Sequence, residues 1–439
     1  MSDASYDSFG RLVRVDREAD KAGVIAKRLS EQVAGSTLAF GQGRSYGDSC
    51  HNDQGVLADF RDDKRIVFFN GQSGVVECDA GATLADIIAY CAPAGWFLPV
   101  TPGTRFVTIG GAVANDVHGK NHHKRGTFGN HVLALTLARG DGVHHLTPDD
   151  QSGLFKATIG GMGLTGFITR VRLQLMRVNS LNVKQVMTPF QTLDAYFDQA
   201  EQADLDNEYA VAWLDQLHGE RGVLMAANHA DDHMLRADAK PPVLGVPFDL
   251  PFNALNGLSL RAFNAAFYHA KARKAHQPHV TSWQSYFYPL DAIGNWNRLY
   301  GPRGLFQHQS VVPFDRARKA IPALLKASRD AGQASFLTVL KRFGDVASPG
   351  LLSFPAPGYT LTLDFPNKGQ STLNLLEVLD RITMEAGGRV NPYKDARMGP
   401  LTFERSFPNW QQVEALRDPA IMSNFWKRTA LELAKSGNV

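Results

Sequence analysis

The chain has 439 residues, a length that suits two or three domains, and 44% of them are hydrophobic while 20% are charged. These values are typical of a globular protein, and a net charge of +3 is too small to favour nucleic acid as the main partner. Three cysteines without a CxxC spacing argue against a disulfide framework. The first ten residues lack the apolar stretch of a signal peptide, and no run of about 18 apolar residues occurs, so we expect a cytoplasmic protein.

The first 180 residues combine glycine-punctuated loops with short strands and helices. The apolar spacing predicts a helix over residues 83–91, capped by Thr83 with Asp86 and ended by Pro93 and Gly95. Short apolar runs predict strands over residues 66–69, 75–78, 132–138, 143–146 and 167–175.

From about residue 183 onward, longer alternating strands and amphipathic helices replace this pattern. Residues 359–365 alternate apolar and polar side chains, which predicts a half-buried antiparallel strand with a polar face available to cover a site. The predicted strand over residues 306–311 places Gln307 and Gln309 on one face. The predicted strand over residues 336–343 places Leu337, Val339 and Lys341 together on one face. Strands followed by helices indicate an α+β sheet domain. The predicted strands cover residues 306–311 and 336–343, and the predicted helices cover residues 315–331 and 371–386.

Residues 231–278 form an unusual segment. It is apolar and proline-rich over residues 241–251, and basic with interspersed aromatic residues over residues 261–274. A solvated loop followed by a surface helix explains this composition. A mobile lid, or a surface that meets lipid, is the alternative interpretation.

The most informative stretch is rich in glycine and histidine: TPGTRFVTIGGAVANDVHGKNHHKRGTFGN, residues 101–130. Glycines let a backbone approach a ligand closely, and the polar side chains between them offer many hydrogen-bond donors. We therefore expect a loop system around a large, polar, partly anionic ligand. His118 is placed to bind that ligand or act as a base, and Lys120 to neutralise an anion. A loop held by its own hydrogen bonds explains the same residues equally well.

Three other interpretations of these motifs are weaker. GQGRSYGD (41–48) is close to a dinucleotide fingerprint, but its third glycine is one residue late and no helix follows. It is either a phosphate-binding loop or a tight turn between strands. The histidines lack a nearby cysteine or glutamate to complete a zinc site, so we predict no metal and expect His122 and His123 to be structural donors. No GxSxG element supports a serine nucleophile.

Motifs along nearly the whole chain resemble one group of flavoenzymes. Four glycine-containing elements resemble the FAD domain of the vanillyl-alcohol oxidase and p-cresol methylhydroxylase (PCMH) type: GQGRSYGD (41–48), AGATL (80–84), PGTRFVTIGGA (102–112) and GMGLTG (161–166). The more specific DVHGKNHH (116–123), followed by GTFGNHV (126–132), resembles the decaprenylphosphoryl-β-D-ribose 2′-oxidases. The similarity continues through FQHQSVVP (306–313), FLTVLKRFG (336–344), DFP (364–366) and YKDAR (393–397).

This resemblance implies an α+β fold of the PCMH type with two domains. Residues 1–180, completed by residues 389–439, would bind FAD, and residues 181–388 would form an antiparallel-sheet substrate domain. Arg44 stands where many relatives carry the histidine that bonds to the flavin, which implies noncovalent FAD. The residues implied to contact FAD are Ala39, Phe40, Gly41, Gln42, Gly43, Arg44, Ser45, Tyr46, Gly47, Asp48, Ser49, Gly103, Thr108, Ile109, Gly110, Gly111, Asn115, Asp116, Val117, His118 and Ile168.

The resemblance also implies a reaction centre beside the flavin ring. Two lysines there suit an anionic phosphate, an alkoxide or the charge of the reduced flavin. Either His118 or Tyr46 accepts the hydroxyl proton, and the choice stays open. The implied catalytic residues are Lys394, His118 and Tyr46. The implied substrate-binding residues are Gln307, Gln309, Lys341, Thr362 and Lys394.

Two residues depart from the family pattern. Thr362 replaces a cysteine and Asn391 replaces a tyrosine near the flavin. Neither replaced residue needs to move a proton or hydride, so we expect the chemistry to persist. Covalent inhibitors that require the cysteine are expected to fail.

The implied reaction oxidises the 2′-hydroxyl of a polyprenyl-phosphoryl pentose to a ketone. It would be the first half of an epimerisation to the arabinose form for cell-envelope polysaccharide. The implied partners are the lipid-linked sugar phosphate, an NAD(P)H-dependent reductase and a membrane contacted peripherally, at the inner membrane or its periplasmic face. An oxidase of a small soluble sugar or alditol is the first alternative. A non-catalytic or metal-dependent histidine-rich binding protein is the second.

Overall fold

The computed structural model describes residues 6–238, 242, 244–248, 257–335 and 337–437. The strands are β1 (Ala19–Lys21), β2 (Thr37–Phe40), β3 (Val56–Asp59), β4 (Ile66–Asn70), β5 (Val75–Asp79), β6 (Trp96–Phe97), β7 (Val132–Arg139), β8 (Gly142–Leu146), β9 (Phe167–Gln174), β10 (Met176–Arg177), β11 (Val183–Phe190), β12 (Tyr209–Leu214), β13 (Gly222–His229), β14 (His279–Thr281), β15 (Leu305–Val312), β16 (Val339–Phe343), β17 (Gly358–Pro366) and β18 (Arg389–Val390).

The α-helices alternate with these strands and dominate the end of the chain. They are α1 (Ala22–Lys27), α2 (Leu84–Cys91), α3 (Ile109–Ala114), α4 (His122–Arg125), α5 (Leu154–Thr158), α6 (Leu193–Asp206), α7 (Gly257–Ala272), α8 (Trp283–Phe287), α9 (Phe314–Asp330), α10 (Gln370–Glu385), α11 (Pro400–Ser406), α12 (Trp410–Leu416), α13 (Asn424–Arg428) and α14 (Ala430–Lys435). Short 3₁₀ helices include Asp48–Cys50 and Trp296–Tyr300.

Within the described residues, the strands form two large and two small sheets. The order β4-β5-β9-β7-β8 gives a five-stranded antiparallel sheet near the N-terminus. The order β14-β11-β13-β12-β16-β17-β15-β18 gives an eight-stranded antiparallel sheet from the later part of the chain. A parallel sheet, β1-β3-β2, and the pair β10-β6 complete the set. The expected α+β architecture with an antiparallel sheet in the later part of the chain is confirmed. The boundaries at residues 180 and 389 stay a prediction.

The local sequence explains the N-terminal elements. Thr83 caps α2 by accepting a hydrogen bond from the Asp86 amide at 3.2 Å, and the Asp86 carboxylate accepts one from the Thr83 amide at 2.9 Å. The predicted capping box is therefore confirmed. The strands predicted in this region are present as β4, β5, β7, β8 and β9.

Strand alternation divides the eight-stranded sheet into an apolar face and a polar face. Apolar side chains of β15, β16 and β17, including Phe306, Leu340 and Leu361, form a core with α6, α9 and α10. The intervening residues project to the opposite face, so the expected pairing of Gln307 with Gln309 is confirmed. The register places Thr362 opposite both Gln309 on β15 and Val339 on β16. The polar residues of the second face are Gln307, Gln309, Lys341, Thr360, Thr362 and Asp364.

Two expectations for these strands were wrong. Strand β17 is almost fully buried rather than half-buried, because Thr360 and Asp364 of its polar face are each 0% exposed. Residues from two distant loops cover the polar face of the sheet beside β17. The Asn391 amide donates to Gln309 of β15 at 2.8 Å, and Tyr46 contacts Gln307 of the same strand. In addition, β16 begins at Val339 rather than at residue 336, which lies outside the described residues.

The C-terminal residues return to the N-terminal loops. Strand β18 pairs with β15, with Val390 opposite Ser310. The Tyr46 amide then donates to the Tyr393 carbonyl at 3.2 Å. Further on, Arg428 in α13 donates to both oxygens of Asp48 at 2.8 Å. Residues near the end of the chain therefore help to hold the first glycine loop.

The unusual segment at residues 231–278 is described only in part. Its basic portion forms α7, which agrees with the expected surface helix. Much of its proline-rich portion lies outside the described residues. Among the helices of the described residues, none is long and apolar enough to cross a membrane.

Candidate active site

His118 lies at the centre of a cluster formed by three separate parts of the chain. The Gln309 amide nitrogen of β15 lies 3.0 Å from His118 Nε2, and the Lys341 ammonium of β16 lies 3.3 Å from Nδ1. Phe343 packs edge-on against the imidazole, with ring centroids 4.8 Å apart. Burial, followed by the positive charge of Lys341, lowers the pKa of His118 well below its usual value. The imidazole is therefore neutral at neutral pH.

The loop that carries His118 is fixed by its own buried carboxylate. Helix α3 ends at Ala114, and Asp116 turns the chain with a φ of 38°. Asp116 accepts hydrogen bonds from the Gly129 amide at 2.7 Å and from the Ser353 hydroxyl at 2.5 Å. Burial raises its pKa to about 6. Asp116 thus holds the loop against residues 129 and 353, through partners within the protein.

Gln309 connects His118 to the neighbouring strands. Its amide nitrogen also donates to the Thr360 hydroxyl at 3.0 Å, and its carbonyl oxygen accepts from Asn391 at 2.8 Å. Asn391 stands where the family pattern has a tyrosine. It is 3% exposed and is an internal partner of Gln309.

Two half-buried lysines give the cluster its positive charge. Burial, followed by repulsion from Lys394, lowers the pKa of Lys341 to about 7. Burial lowers the pKa of Lys394 to about 8, although the nearby Asp364 raises it. The Lys394 ammonium lies 4.5 Å from the centroid of the Tyr46 ring, a cation–π contact. Such a pair of desolvated lysines favours an anionic ligand, because a nearby negative charge would raise the pKa of both lysines and keep them protonated.

Tyr46, Gln307 and Asp364 form the other end of the cluster. The Gln307 amide donates to the Asp364 carboxylate and contacts the Tyr46 hydroxyl. Burial, followed by the charge of Asp364, raises the pKa of Tyr46 well above its usual value. Its hydroxyl group is therefore protonated at neutral pH. Asp364 had no role predicted from the sequence, although the DFP motif contains it.

The predicted glycine loops converge on this cluster. A Cβ atom at Gly41 would lie 2.7 Å from Thr108 Oγ1, so the first loop touches the start of α3. A Cβ atom at Gly47 would lie only 1.6 Å from the Asp395 carbonyl oxygen, beside Lys394. A Cβ atom at either position would collide with these neighbouring atoms, which explains why both positions are glycine. The first glycine motif is thus a loop in contact with two other segments.

The remaining predicted contact residues have identifiable positions. Ala39 and Phe40 end β2, the 3₁₀ helix Asp48–Cys50 includes Ser49, and Ile168 lies in β9. Thr108 caps α3 by accepting from the Gly111 amide at 3.1 Å. Residues 109–111 form the first turn of α3. Asn115 is the C-cap of this helix, and Val117 directly precedes His118 in the chain. Gly103 is exposed in the preceding turn, and Thr362 faces the cluster from β17.

Three basic residues that follow His118 in the chain differ in their contacts: Lys120, His122 and His123. The Lys120 ammonium donates to the Tyr286 carbonyl and lies 4.6 Å from the centroid of that ring, so internal contacts account for it. His123 Nε2 lies 3.0 Å from the Asn207 carbonyl, as expected of a structural donor. His122 is 1% exposed, and neither ring nitrogen has a hydrogen-bond partner among the described residues. The expectation of a structural donor is therefore wrong for His122.

Comparisons with known proteins agree with this arrangement. A family model for the FAD binding domain matches residues 13–148. Decaprenylphosphoryl-β-D-ribose oxidase of Mycolicibacterium smegmatis is 33% identical over 425 residues, which cover 89% of this chain and 88% of that protein. An uncharacterised protein of Streptomyces coelicolor is also 33% identical, over 77% of this chain and 96% of that protein. Delta(24)-sterol reductase of Macaca fascicularis is 29% identical over 28% of this chain and 23% of that protein.

The first of these relatives matches the chain through both large sheets, and the FAD model matches its N-terminal part. The fold is therefore the PCMH-type FAD-binding fold, its cofactor is FAD, and the protein is an oxidoreductase. The chain belongs to the decaprenylphosphoryl-β-D-ribose oxidase family of FAD-dependent enzymes.

Proposed function

We propose that this enzyme oxidises the 2′-hydroxyl of a polyprenyl-phosphoryl pentose to a ketone. The supporting observation is the cluster of Lys341, Lys394 and neutral His118 on the polar face of the sheet, in a chain that is similar to a lipid-linked ribose oxidase over 89% of its length. The lysines suit the phosphate of such a substrate, and the polar side chains suit its hydroxyl groups. We divide the chain into an FAD domain, residues 1–180 with 389–439, and a substrate domain, residues 181–388.

We assign FAD to the glycine loops beside the cluster. The backbone N–H groups of residues 41–45 donate to no oxygen of any described residue, and Nε of the mostly buried Arg44 likewise has no partner among them. A Cβ atom at Gly103 would meet no protein atom within 4 Å, so protein packing does not require glycine there. Unpaired N–H groups on a glycine loop suit a pyrophosphate. Arg44 provides no nucleophilic imidazole, which supports noncovalent binding.

When bound, FAD supplies the oxidation by accepting a hydride from the carbinol carbon. His118 suits the role of proton acceptor for the hydroxyl group, because its lowered pKa leaves the imidazole neutral. Tyr46 keeps its own proton and suits a hydrogen-bond donor. Gln309 orients His118 through its amide, and Asn391 in turn holds Gln309.

We further propose that a separate NAD(P)H-dependent reductase converts the ketone to the arabinose form. Since the oxidation removes the stereochemistry at one carbon, reduction from the other face completes an epimerisation. This pair of steps would supply arabinose for cell-envelope polysaccharide. Recovery of only the ribose form from the coupled reaction would contradict this proposal.

The glycine assignment predicts different behaviour for two Gly→Ala variants. Gly103→Ala should keep the thermal stability of the apoprotein but bind FAD at least about tenfold more weakly, because the added methyl group meets the cofactor rather than the protein. Gly399→Ala is the matched control, since a Cβ atom there also meets nothing within 4 Å. FAD is released by acid precipitation and added back in a fluorescence titration. Equal affinity in both variants would contradict the Gly103 contact, and colour retained in the precipitate would contradict noncovalent binding.

The proposed substrate predicts anaerobic bleaching of the flavin. Polyprenyl-phosphoryl ribose should bleach the visible flavin band rapidly and yield a product lighter by two hydrogen atoms, whereas free alditols should not. Mass spectrometry and stopped-flow absorbance provide the measurements. His118→Gln should slow the bleaching more than Tyr46→Phe does, and the reverse order would reassign the proton acceptor. Bleaching by alditols alone would favour a soluble alditol oxidase instead.

The lowered pKa of Lys341 predicts that activity falls as the pH rises. Its pKa of about 7 means that the ammonium is charged below that pH and loses its charge above it. We therefore expect kcat/KM for the phosphate-bearing substrate to fall above about pH 7, since the charge that holds the phosphate is lost. Lys341→Arg should remove this dependence because guanidinium stays charged. Lys341→Met should lose about 2 kcal/mol of transition-state binding, roughly thirtyfold, below about pH 7, and the difference from the wild-type enzyme should shrink above that pH.

Lys319→Met is the matched control, since Lys319 is exposed on α9, away from the polar face of the sheet. It removes one positive charge and should leave the pH profile unchanged. A rate that increases through pH 7 in the wild-type enzyme would show that neutral Lys341 acts as a base.

The lipid tail of the substrate leads us to propose a peripheral membrane contact at Leu244, Phe248 and the basic residues of and after α7. Leu244 and Phe248 are 77% and 63% exposed, and the basic residues of and after α7 include the exposed Arg261 and Arg273. Exposed apolar groups near basic ones suit an anionic lipid surface.

This contact predicts sedimentation with vesicles. The protein should sediment with phosphatidylcholine vesicles only when they contain phosphatidylglycerol, and less at high salt. Leu244→Ser with Phe248→Ser should weaken the binding severalfold, because two apolar anchors are lost. Val143→Ser, which changes a 64%-exposed residue of β8, is the control. Equal sedimentation of all three proteins would exclude this surface.

A further inference from the structure

Asp364 is a fully buried carboxylate that the proposed reaction does not use. It lies on the polar face of β17, two residues after Thr362, and is 0% exposed. Its backbone amide donates to the Ser335 hydroxyl at 2.8 Å, which fixes the strand at this point. One carboxylate oxygen accepts from the Gln307 amide. The other has no hydrogen-bond partner among the described residues.

The surroundings of Asp364 are polar, and four side chains from different parts of the chain lie around it. Gln307 reaches it from β15, Tyr46 from the first glycine loop, Tyr300 from the 3₁₀ helix Trp296–Tyr300, and Lys394 from the loop after β18. The Tyr300 hydroxyl and the Gln307 carbonyl oxygen are also buried without a partner among the described residues. Lys394 is the one cation among these four neighbours. Its ammonium lies 4.5 Å from the centroid of the Tyr46 ring, and Gln307 joins Tyr46 to Asp364 by hydrogen bonds to both. An unpaired carboxylate in such a place costs free energy unless a positive charge offsets it.

The charges of this cluster depend on one another. Lys341 lowers the pKa of His118, and Lys394 lowers that of Lys341. Asp364 acts in the opposite direction, because its charge raises the pKa of Lys394. Burial raises the pKa of Asp364 itself to about 7, while Lys394 lowers it. Both groups are therefore ionised together between about pH 7 and pH 8.

We propose that Asp364 is a positioning residue that keeps Lys394 positively charged and holds the Gln307 amide against Tyr46. It acts through these neighbours and does not itself contact the substrate. This role goes beyond the proposed function, because it concerns the charge of the site whichever sugar is oxidised.

The test measures the charge of Lys394 directly in the FAD-bound enzyme. Protein labelled with ¹³C at the lysine ε carbon is titrated by NMR, and Lys394→Arg assigns the resonance. Asp364→Asn should lower the titration midpoint of Lys394 by about one pH unit, the size expected when a nearby opposite charge is removed. Asp364→Glu should restore most of the shift. Asp345→Asn, at an exposed position after β16, is the control and should change nothing.

A purely structural role for Asp364 would lower the melting temperature without moving the Lys394 midpoint, and that result would overturn the proposal. If Asp364→Asn does not fold, the reciprocal measurement applies. Lys394→Met should raise the midpoint of the Asp364 carboxyl group in protein labelled at aspartate Cγ, because coupling between two sites is mutual. An unchanged midpoint there would also overturn the proposal. Neither measurement needs a substrate, so failure here would leave the proposed sugar oxidation untouched.

Discussion

The alternation of side chains along β15, β16 and β17 determines the position of every site residue on the eight-stranded sheet. One face is apolar and packs against three helices. The other face must then bury glutamine, lysine, threonine and aspartate side chains, because loops from both ends of the chain cover it. Buried polar groups need partners, and here they find one another and His118. A shift of one residue in the register would exchange the two faces and remove the site.

Positive charge dominates the resulting cluster. Lys341 and Lys394 are desolvated, and Asp364 is the carboxylate that acts on Lys394. Such an arrangement weakens the folded protein, since burying like charges is unfavourable. Strongly perturbed groups of this kind are typical of functional sites, where a ligand compensates for the strain. An anionic cofactor and an anionic substrate both provide that compensation.

The local part of this structure was predictable from the sequence. The Thr83 capping box, the strand carrying Gln307 and Gln309, and the ends of α9 and α10 depend on residues close together in the chain. The role of Asp364 was not predictable, because it depends on the pairing of β15 with β17 and on a loop near residue 46. The lack of partners for His122 and the contact of Lys120 with Tyr286 likewise depend on distant residues. The family resemblance named the site lysines but not the groups that set their charge.

The hydrogen bonds between Asp48 and Arg428 join residues 380 positions apart in the chain. Together with the contact of Tyr46 with Tyr393, they make the first glycine loop depend on residues that are synthesised much later. Although N-terminal elements fold first during synthesis, this loop gains its contacts with Tyr393 and Arg428 only after those later segments have been made. A truncated chain that lacks these later segments would leave Asp48 without Arg428 and Gln309 without Asn391.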